Sequence, residues 1–284
     1  MSKVKNNVLD RSVFKGLKYF SYVGTVLSVV ALVAVVWYVL SRGIDKISLD
    51  LLFGEYDGKN PSILPAFKGT VILVLISAAI AVPIGIFTAI FLVEYMNNKG
   101  KFVKFIRLAT ETLAGIPSIV YGLFGYLIFV VSFGWGYTLL GGGITLAIMI
   151  LPVIVRSTEE SLLAVPDGLR EGAYALGASK VRTIFKIILP SAASGIVTSV
   201  ILAIGRVVSE SAVLILTIGM VVNLVPQNAM SPGTSLALDI YFFASHGYPE
   251  EAAATSVVLL LFVFALNLIA GGAGKLLKNK RGEK

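Results

Sequence analysis

The sequence has no cysteine, so neither disulfides nor thiolate metal sites are available to it. It has one histidine, His246, and no HExxH run or His/Asp/Glu cluster, which argues against a metalloenzyme. Charge is scarce: 14% of residues are charged and 56% are hydrophobic. A soluble domain of 284 residues needs more charge to cover its surface. No segment reads GxxxxGK[ST], so ATP binding through a P-loop is excluded. No small-residue cleavage site follows the first apolar run, which therefore reads as a retained membrane helix.

Long apolar stretches fill the space that charge leaves. Mean hydropathy is +0.88. Runs of about 20 residues are long enough to cross a hydrocarbon core of roughly 30 Å. Length and periodicity predict spans at 19–41, 67–95, 105–133, 141–160, 191–216 and 249–272. The turn-rich stretch 134–143 separates the third span from the fourth. Segment 217–248, with Pro226, Pro232, Asn223 and Asn228, reads as an outer loop with a short helix at Leu236–Phe243.

The net charge of +8 is distributed by side. Basic residues collect in 1–18, 96–107, 161–190 and the tail, which together hold eighteen of the 24. Six alternating spans put all four segments on one side, where the positive-inside bias makes them cytoplasmic. Both termini are then cytoplasmic, and a role in nucleic-acid binding is not needed to explain the charge. The chain divides into a cytoplasmic segment 1–18, a first helix with its outer loop 19–66, a core 67–272, and a basic tail 273–284.

The loop at 161–190 carries the most specific pattern. Pro166-Asp167-Gly168 is a helix start and Gly177 a helix stop. A second helix is expected from Ser179 to Pro190, where proline ends it. Two short helices meeting at a glycine form either a plain hairpin or a knob suited to a groove in a partner. The spacing itself is Glu171-Gly172-Ala173, three residues, Gly177, nine residues, then Ile187, Leu189 and Pro190. It resembles the EAA signature of binding-protein-dependent ABC importer permeases, with Gly172 in place of an alanine. The resemblance implies an all-α, polytopic type I (MetI-like) permease architecture. It also implies a coupling helix that docks on a separate ATPase, which uses the ATP and Mg. No cofactor is expected on this chain.

Ionisable residues inside spans are costly and so are functional candidates. Arg206 and Glu210 stand four apart in the fifth span, flanked by Ser209 and Ser211. On one helix they would share a face. They then read either as a self-neutralised pair or as an anion site in which the glutamate competes for the guanidinium. A planar guanidinium suits tetrahedral oxyanions and does not titrate away. Arg156, in the fourth span, reaches the pathway or snorkels to the interface with Glu159 or Glu160. Glu94 and Glu111 read as interfacial. In the third span, Gly115, Pro117 and Gly122 predict a kink, with a freed carbonyl and close helix approach. Ser118 joins Ser209 as a candidate polar lining residue.

Three stretches together look like permeases of the phosphate-specific transport system: Ile116–Gly122, Gly205–Ser211 and Val165–Ala178. The similarity runs over at least 70–270, and Leu236–Tyr241 looks more like the PstA type than the PstC type. It implies roles in transport for Arg206, Glu210 and Arg156. It implies as partners a second, PstC-like permease, a PstB-like ATPase dimer and a PstS-like binding protein. Permeases for sulfate, molybdate or tungstate remain the alternative. A secondary transporter fits less well, because the EAA pattern would be unused. A membrane enzyme lacks any acid/base or nucleophile constellation.

Overall fold

The computed structural model describes residues 2–54, 56, 61–96 and 100–279; the side chains of 2–12, 270 and 273–279 fall outside that description. Glu55, Asp57, Lys59, Lys99, Lys280, Arg281 and Lys284 lie outside the described residues. Among those described there is no strand.

Five helices are long and apolar enough to cross a membrane. They run through Val13–Lys46, Leu64–Tyr95, Leu139–Leu163, Lys180–Val208 and Pro249–Ile269. A sixth crossing comes from Lys101–Ala114 and Ser118–Ser132 if that bent pair is one span. In chain order the helices are α1 Ser2–Gly43, α2 Leu49–Phe53, α3 Leu64–Ile90, α4 Lys101–Ala114, α5 Ser118–Gly125 and α6 Leu139–Leu163. Then follow α7 Asp167–Ala175, α8 Lys180–Thr183, α9 Leu189–Val208, α10 Ala212–Thr217, α11 Leu236–Ser245 and α12 Pro249–Asn279. Short π-helical turns extend α3 to Tyr95 and α5 to Ser132, and one joins α8 to α9.

Three sequence expectations need correction. The span expected at 105–133 is two helices meeting at 96°. The helix expected to stop at Pro190 continues through it, so the span begins at Lys180 and not at 191. The π turn Ile184–Ile188 widens the coil just before the pyrrolidine ring, which relieves its clash with the carbonyl one turn back. Helices α3 and α6 also carry prolines internally, Pro83 and Pro152. Finally, the expected 191–216 helix breaks after Val208. Helix α1 also passes the 18/19 boundary unbroken, and α12 passes 272/273.

Contacts between loops fix which ones share a side. Thr138 donates its backbone N–H to Thr217 (3.2 Å), and Leu139 donates to Ser231 (3.0 Å). The 133–138 turn and the 217–235 loop therefore lie together. At the other end, Arg170 pairs with Glu94, and the Lys180 ammonium sits 4.8 Å from the Tyr95 ring centroid. The Glu94–Tyr95 end of the α3 span and the 164–179 loop therefore share the opposite side.

The central core joins α3, α5, α6, α9 and α10 through Leu73, Tyr121, Leu146, Ile150, Ala203 and Leu214. Small residues bring α3 and α6 together. A Cβ on Gly85 would lie 2.6 Å from Ile154, and one on Gly143 would lie 2.6 Å from Ile76. In a membrane, where lipid competes for apolar contact, such close backbone packing supplies much of the association energy.

Helix α11 is shorter than a span and sits between the 217–235 loop and α12. Ser235 caps it, accepting from the Leu238 N–H at 3.2 Å. Its Asp239 is fully buried; Oδ1 accepts from the Thr234 hydroxyl, and Oδ2 has no partner. Burial pushes this carboxyl up from 3.8 to about 8. The folded state then holds the proton more tightly than the unfolded state. Stability contributed here is full below about pH 4 and is lost as pH rises toward 8. Asp239→Asn keeps the shape and removes that slope. Thermal melts at pH 5 and pH 8 should show the variant losing less stability than the wild type across the interval. Parallel curves would count against the buried, protonated carboxyl.

Candidate functional site

The 164–179 loop is built as its sequence implies. Helix α7 starts after Pro166 and closes in a Schellman turn. Ala178 donates to the Ala173 carbonyl (3.0 Å) and Gly177 donates to Tyr174 (2.9 Å), with Gly177 at φ +77°. Ser179 then caps α8 by accepting from the Arg182 N–H. Ala173 is buried beneath the knob, while Glu171, Tyr174 and Leu176 are exposed; Leu176, at 91%, forms its tip. Ile187 and Leu189 pack against a cluster that includes Ile90 of α3 and Leu162 of α6, and Pro190 is half-buried beside them. The loop is thus seated on two spans.

A Cβ added at Gly172 would have nothing within 4 Å, so an alanine there meets no obstacle. Gly177→Ala, by contrast, forces a Cβ into a left-handed conformation at a cost of about 1–2 kcal/mol. Melting of the purified chain should fall by several degrees for Gly177→Ala and stay unchanged or rise for Gly172→Ala. Equal melts for the two variants would refute the assignment of the turn.

Beneath the knob, Arg170 makes five hydrogen bonds. Nε and Nη2 donate to Glu94 Oε1 at 3.2 and 2.9 Å, and Nη2 donates to the Leu162 carbonyl at 3.0 Å. Nη1 donates to the Val165 carbonyl at 2.9 Å and to Asp167 at 3.1 Å. One guanidinium therefore ties α7 to the end of α3 and to the last carbonyls of α6. The Glu94 side chain is 5% exposed, so it is an internal partner and not the interfacial residue expected.

On the same side, Arg156 of α6 donates to Glu160 (3.1 Å) and to Glu111 of α4 (2.9 Å). Arg107 of α4 pairs with Glu159 of α6. These five charged residues, with Thr110 and Leu163, line a cavity of about 210 Å³. Arg156 thus pairs with Glu160, one of its two expected partners, and with Glu111, which the sequence did not indicate.

The Arg206 region differs from expectation. Helix α9 ends at Val208, so Arg206 and Glu210 do not share a helix. Glu210 Oε1 instead accepts from the Ala212 and Val213 N–H groups (3.0 and 3.3 Å), at the start of α10. Ser209 turns its hydroxyl back on the Gly205 and Arg206 carbonyls. The self-neutralised pair is absent: Arg206 forms no ion pair or side-chain hydrogen bond with the described residues and is exposed. Its neighbours Ala203 and Val207 belong to the central core, so Arg206 leaves α9 at the level of that core.

The kink in the third span is sharper than a proline kink in a continuous helix. Pro117 cannot donate to the Leu113 carbonyl, and Tyr121 Oη does so at 2.8 Å. Gly122 is a true close approach, since a Cβ there would lie 3.0 Å from the Val213 Cα. Gly115 is not, since only its own turn's carbonyls lie within 4 Å. Ser118 opens α5 and is half-buried. Among the described residues no three His, Asp or Glu side chains are grouped to hold a metal.

The sequence did not indicate the pairing of Arg170 with Glu94 or of Arg107 with Glu159, whose members are 76 and 52 positions apart, nor the bond from the Tyr121 hydroxyl to the Leu113 carbonyl.

Comparison with known proteins places this architecture. Residues 81–282 match the model of the binding-protein-dependent transport system inner membrane component family. A probable ABC transporter permease protein, YqgI of Bacillus subtilis, is 33% identical over 88% of this chain and 90% of its own length. The phosphate transport system permease protein PstA of Mycobacterium leprae is 31% identical over 98% of this chain and 91% of its own. That of Xylella fastidiosa is 34% identical over 85% and 84%. Among solved structures, the inward-facing MetNI methionine ABC transporter superposes with a TM-score of 0.63 at 21% identity, over 74% of this chain and 93% of that one. A bacterial alginate ABC transporter gives 0.63 at 14% identity, over 91% and 95%. The matched region contains α4 to α12, the seated knob and Arg206, and the chain belongs to the binding-protein-dependent transport system inner membrane component family.

Proposed function

We propose that this chain is a PstA-type permease subunit that carries inorganic phosphate inward through an ATP-driven importer. The observation that carries the reading is Arg206, an exposed arginine that leaves α9 between core residues and has no carboxylate partner among the described residues. A planar guanidinium there matches a tetrahedral oxyanion with two parallel donors. Relatives named as phosphate permeases over most of this chain support the choice of anion.

The knob at Asp167–Gly177 docks on an ATPase subunit, so its side of the membrane is cytoplasmic. The basic residues on that side agree with the positive-inside bias. Both termini then face the cytoplasm. ATP and Mg are used by the ATPase pair, and this chain supplies neither a nucleotide site nor a cofactor. A related, PstC-like permease completes the pathway, and a PstS-like protein delivers phosphate from outside. Membrane lipid and that second permease cover the apolar surface of α1, which is exposed along nearly its whole described length.

The test is uptake of labelled phosphate into proteoliposomes holding the assembled complex, with ATP on the knob side and the binding protein on the other. Phosphate accumulation that needs ATP and resists competition by sulfate or molybdate supports the reading. Preferred uptake of another oxyanion overturns the substrate, and uptake without ATP overturns the class.

A further inference from the structure

We propose that α4 is a membrane-surface helix whose outward face binds anionic phospholipid in the leaflet on the knob side. Neither the substrate nor Arg206 enters into it. The first ground is direction. Helices α4 and α5 meet at 96°, so only one of them can run across the bilayer. α5 and its π turn carry no charged residue, whereas α4 has four in its 14 residues. The crossing is therefore Ser118–Ser132, which rises about 22 Å, and α4 runs close to the membrane plane.

The second ground is level. Val103 of α4 packs with Leu92 of the α3 span and Val155 of α6, and Arg107 pairs with Glu159. The α3 span ends at Tyr95 and α6 ends at Leu163, both on the knob side. α4 thus lies across the bundle about one to two helical turns inside that surface, where headgroups meet acyl chains.

The third ground is the order of side chains around α4. Val103 and Ile106 turn to the spans. At 3.6 residues per turn, Phe102 and Phe105 then fall on one flank and Lys104 and Arg107 on the other, with Lys101 and Leu108 between. Helix α6 orients the two flanks. Ile106, beside the phenylalanines, belongs to the cluster that includes Leu151, whereas Arg107 pairs with Glu159, about two turns nearer the knob side. The phenylalanine flank therefore faces the acyl chains and the lysine flank faces the headgroups. Phe102, Phe105 and Leu108 are exposed. Lys101 and Lys104 are exposed too and make no ion pair among the described residues.

Neighbouring elements continue this belt. Phe91 and Tyr95 are exposed and stacked on each other, with the Lys180 ammonium over the Tyr95 ring. Phe185 is exposed beside Lys186. Aromatic rings and ammonium groups at one depth mark a membrane–water interface. Two unpaired lysines next to acyl-facing rings fit a lipid with net negative charge better than a zwitterionic one. A lipid seated there also braces α6, because α4 holds it through Arg107–Glu159 and Glu111–Arg156.

The chain has no cysteine, so one label can be placed cleanly. Phe105→Cys carries a bimane fluorophore in the assembled complex in nanodiscs, as its only reactive cysteine. Quenching is compared for brominated phosphatidylglycerol and brominated phosphatidylcholine, matched in chains and in fraction of the lipid, and for aqueous iodide. Both lipids should quench, with phosphatidylglycerol at least about threefold stronger. Adding Lys101→Gln with Lys104→Gln should erase that excess and leave quenching by phosphatidylcholine unchanged, which shows that the fold and the depth are kept. Lys101→Arg with Lys104→Arg should retain the excess. Quenching by iodide alone would place α4 in water, and no quenching by any agent would mean that protein covers this face. Either result overturns the proposal, as does equal quenching by the two lipids or an excess that survives both glutamines.

Discussion

Arg206→Ala should lower phosphate uptake at least about 100-fold in the reconstituted complex while the ATPase subunits still copurify. The magnitude follows from the contact that is lost. Two parallel, charge-assisted hydrogen bonds to an oxyanion are worth about 3 kcal/mol net. At 1.4 kcal/mol per factor of ten, that is roughly two orders of magnitude. Nothing in the fold should suffer, because the Arg206 side chain holds no described partner. Arg206→Lys keeps the charge but loses the fork, and an intermediate loss of about tenfold is expected. Glu210→Gln provides the contrast. Its amide oxygen can still accept from Ala212 and Val213, so uptake should stay within about threefold of the wild type. Uptake of Arg206→Ala near the wild-type level would remove this residue from the pathway. A Glu210→Gln variant as damaged as Arg206→Ala would restore the competing-carboxylate mechanism.

The difference between those two residues shows where the sequence stopped being readable. Apolar run length located the five long apolar helices, though not all of their ends, because the bilayer imposes that length on any fold; it did not reveal the 96° bend in the third run. The positions four apart of Arg206 and Glu210 fit a helix, and only Ser209 and Ser211 hinted otherwise. Such residues compete for backbone groups and favour helix ends. Pro190 failed as a stop for the converse reason: a local rule was met by a local remedy, the π turn before it. Gly177 was legible because a positive φ at a helix end has a near-unique residue preference. The charge pairs were not legible. Arg107 and Glu159 are 52 positions apart, and Arg170 and Glu94 are 76 apart. A loop arginine that satisfies the positive-inside bias looks the same whether it meets lipid or a buried glutamate.

Arg170 is where that hidden pairing matters most. Arg170→Ala should both destabilise the chain and disconnect the knob from the spans. The side chains of Glu94 and Arg170 are 5% and 15% exposed, so the alanine leaves a buried carboxylate without its counter-charge. Breaking such a pair from one side costs about 3–5 kcal/mol. For a chain of this size that lowers the melting temperature by roughly 10 °C. The Val165 carbonyl loses its Arg170 donor as well, and the Leu162 carbonyl keeps only the Val165 N–H, at the end of α6 where a cation is favoured. Asp167→Asn is the control: its carboxylate is 87% exposed, and removing that ion pair should change little. Glu94→Gln with Arg170 retained should fall between the two. The functional expectation follows from geometry. On the proposed docking of an ATPase at the exposed face of α7, the force would leave through one guanidinium into α3 and α6. Without that guanidinium α7 loses its tie to α3 and α6, and on the same proposal ATP hydrolysis should no longer move the spans as a unit. Phosphate carried per ATP hydrolysed should fall about tenfold in Arg170→Ala at a temperature well below its melt. An unchanged ratio would mean that the buried cluster around Ile184 and Ile188 transmits the motion by packing alone.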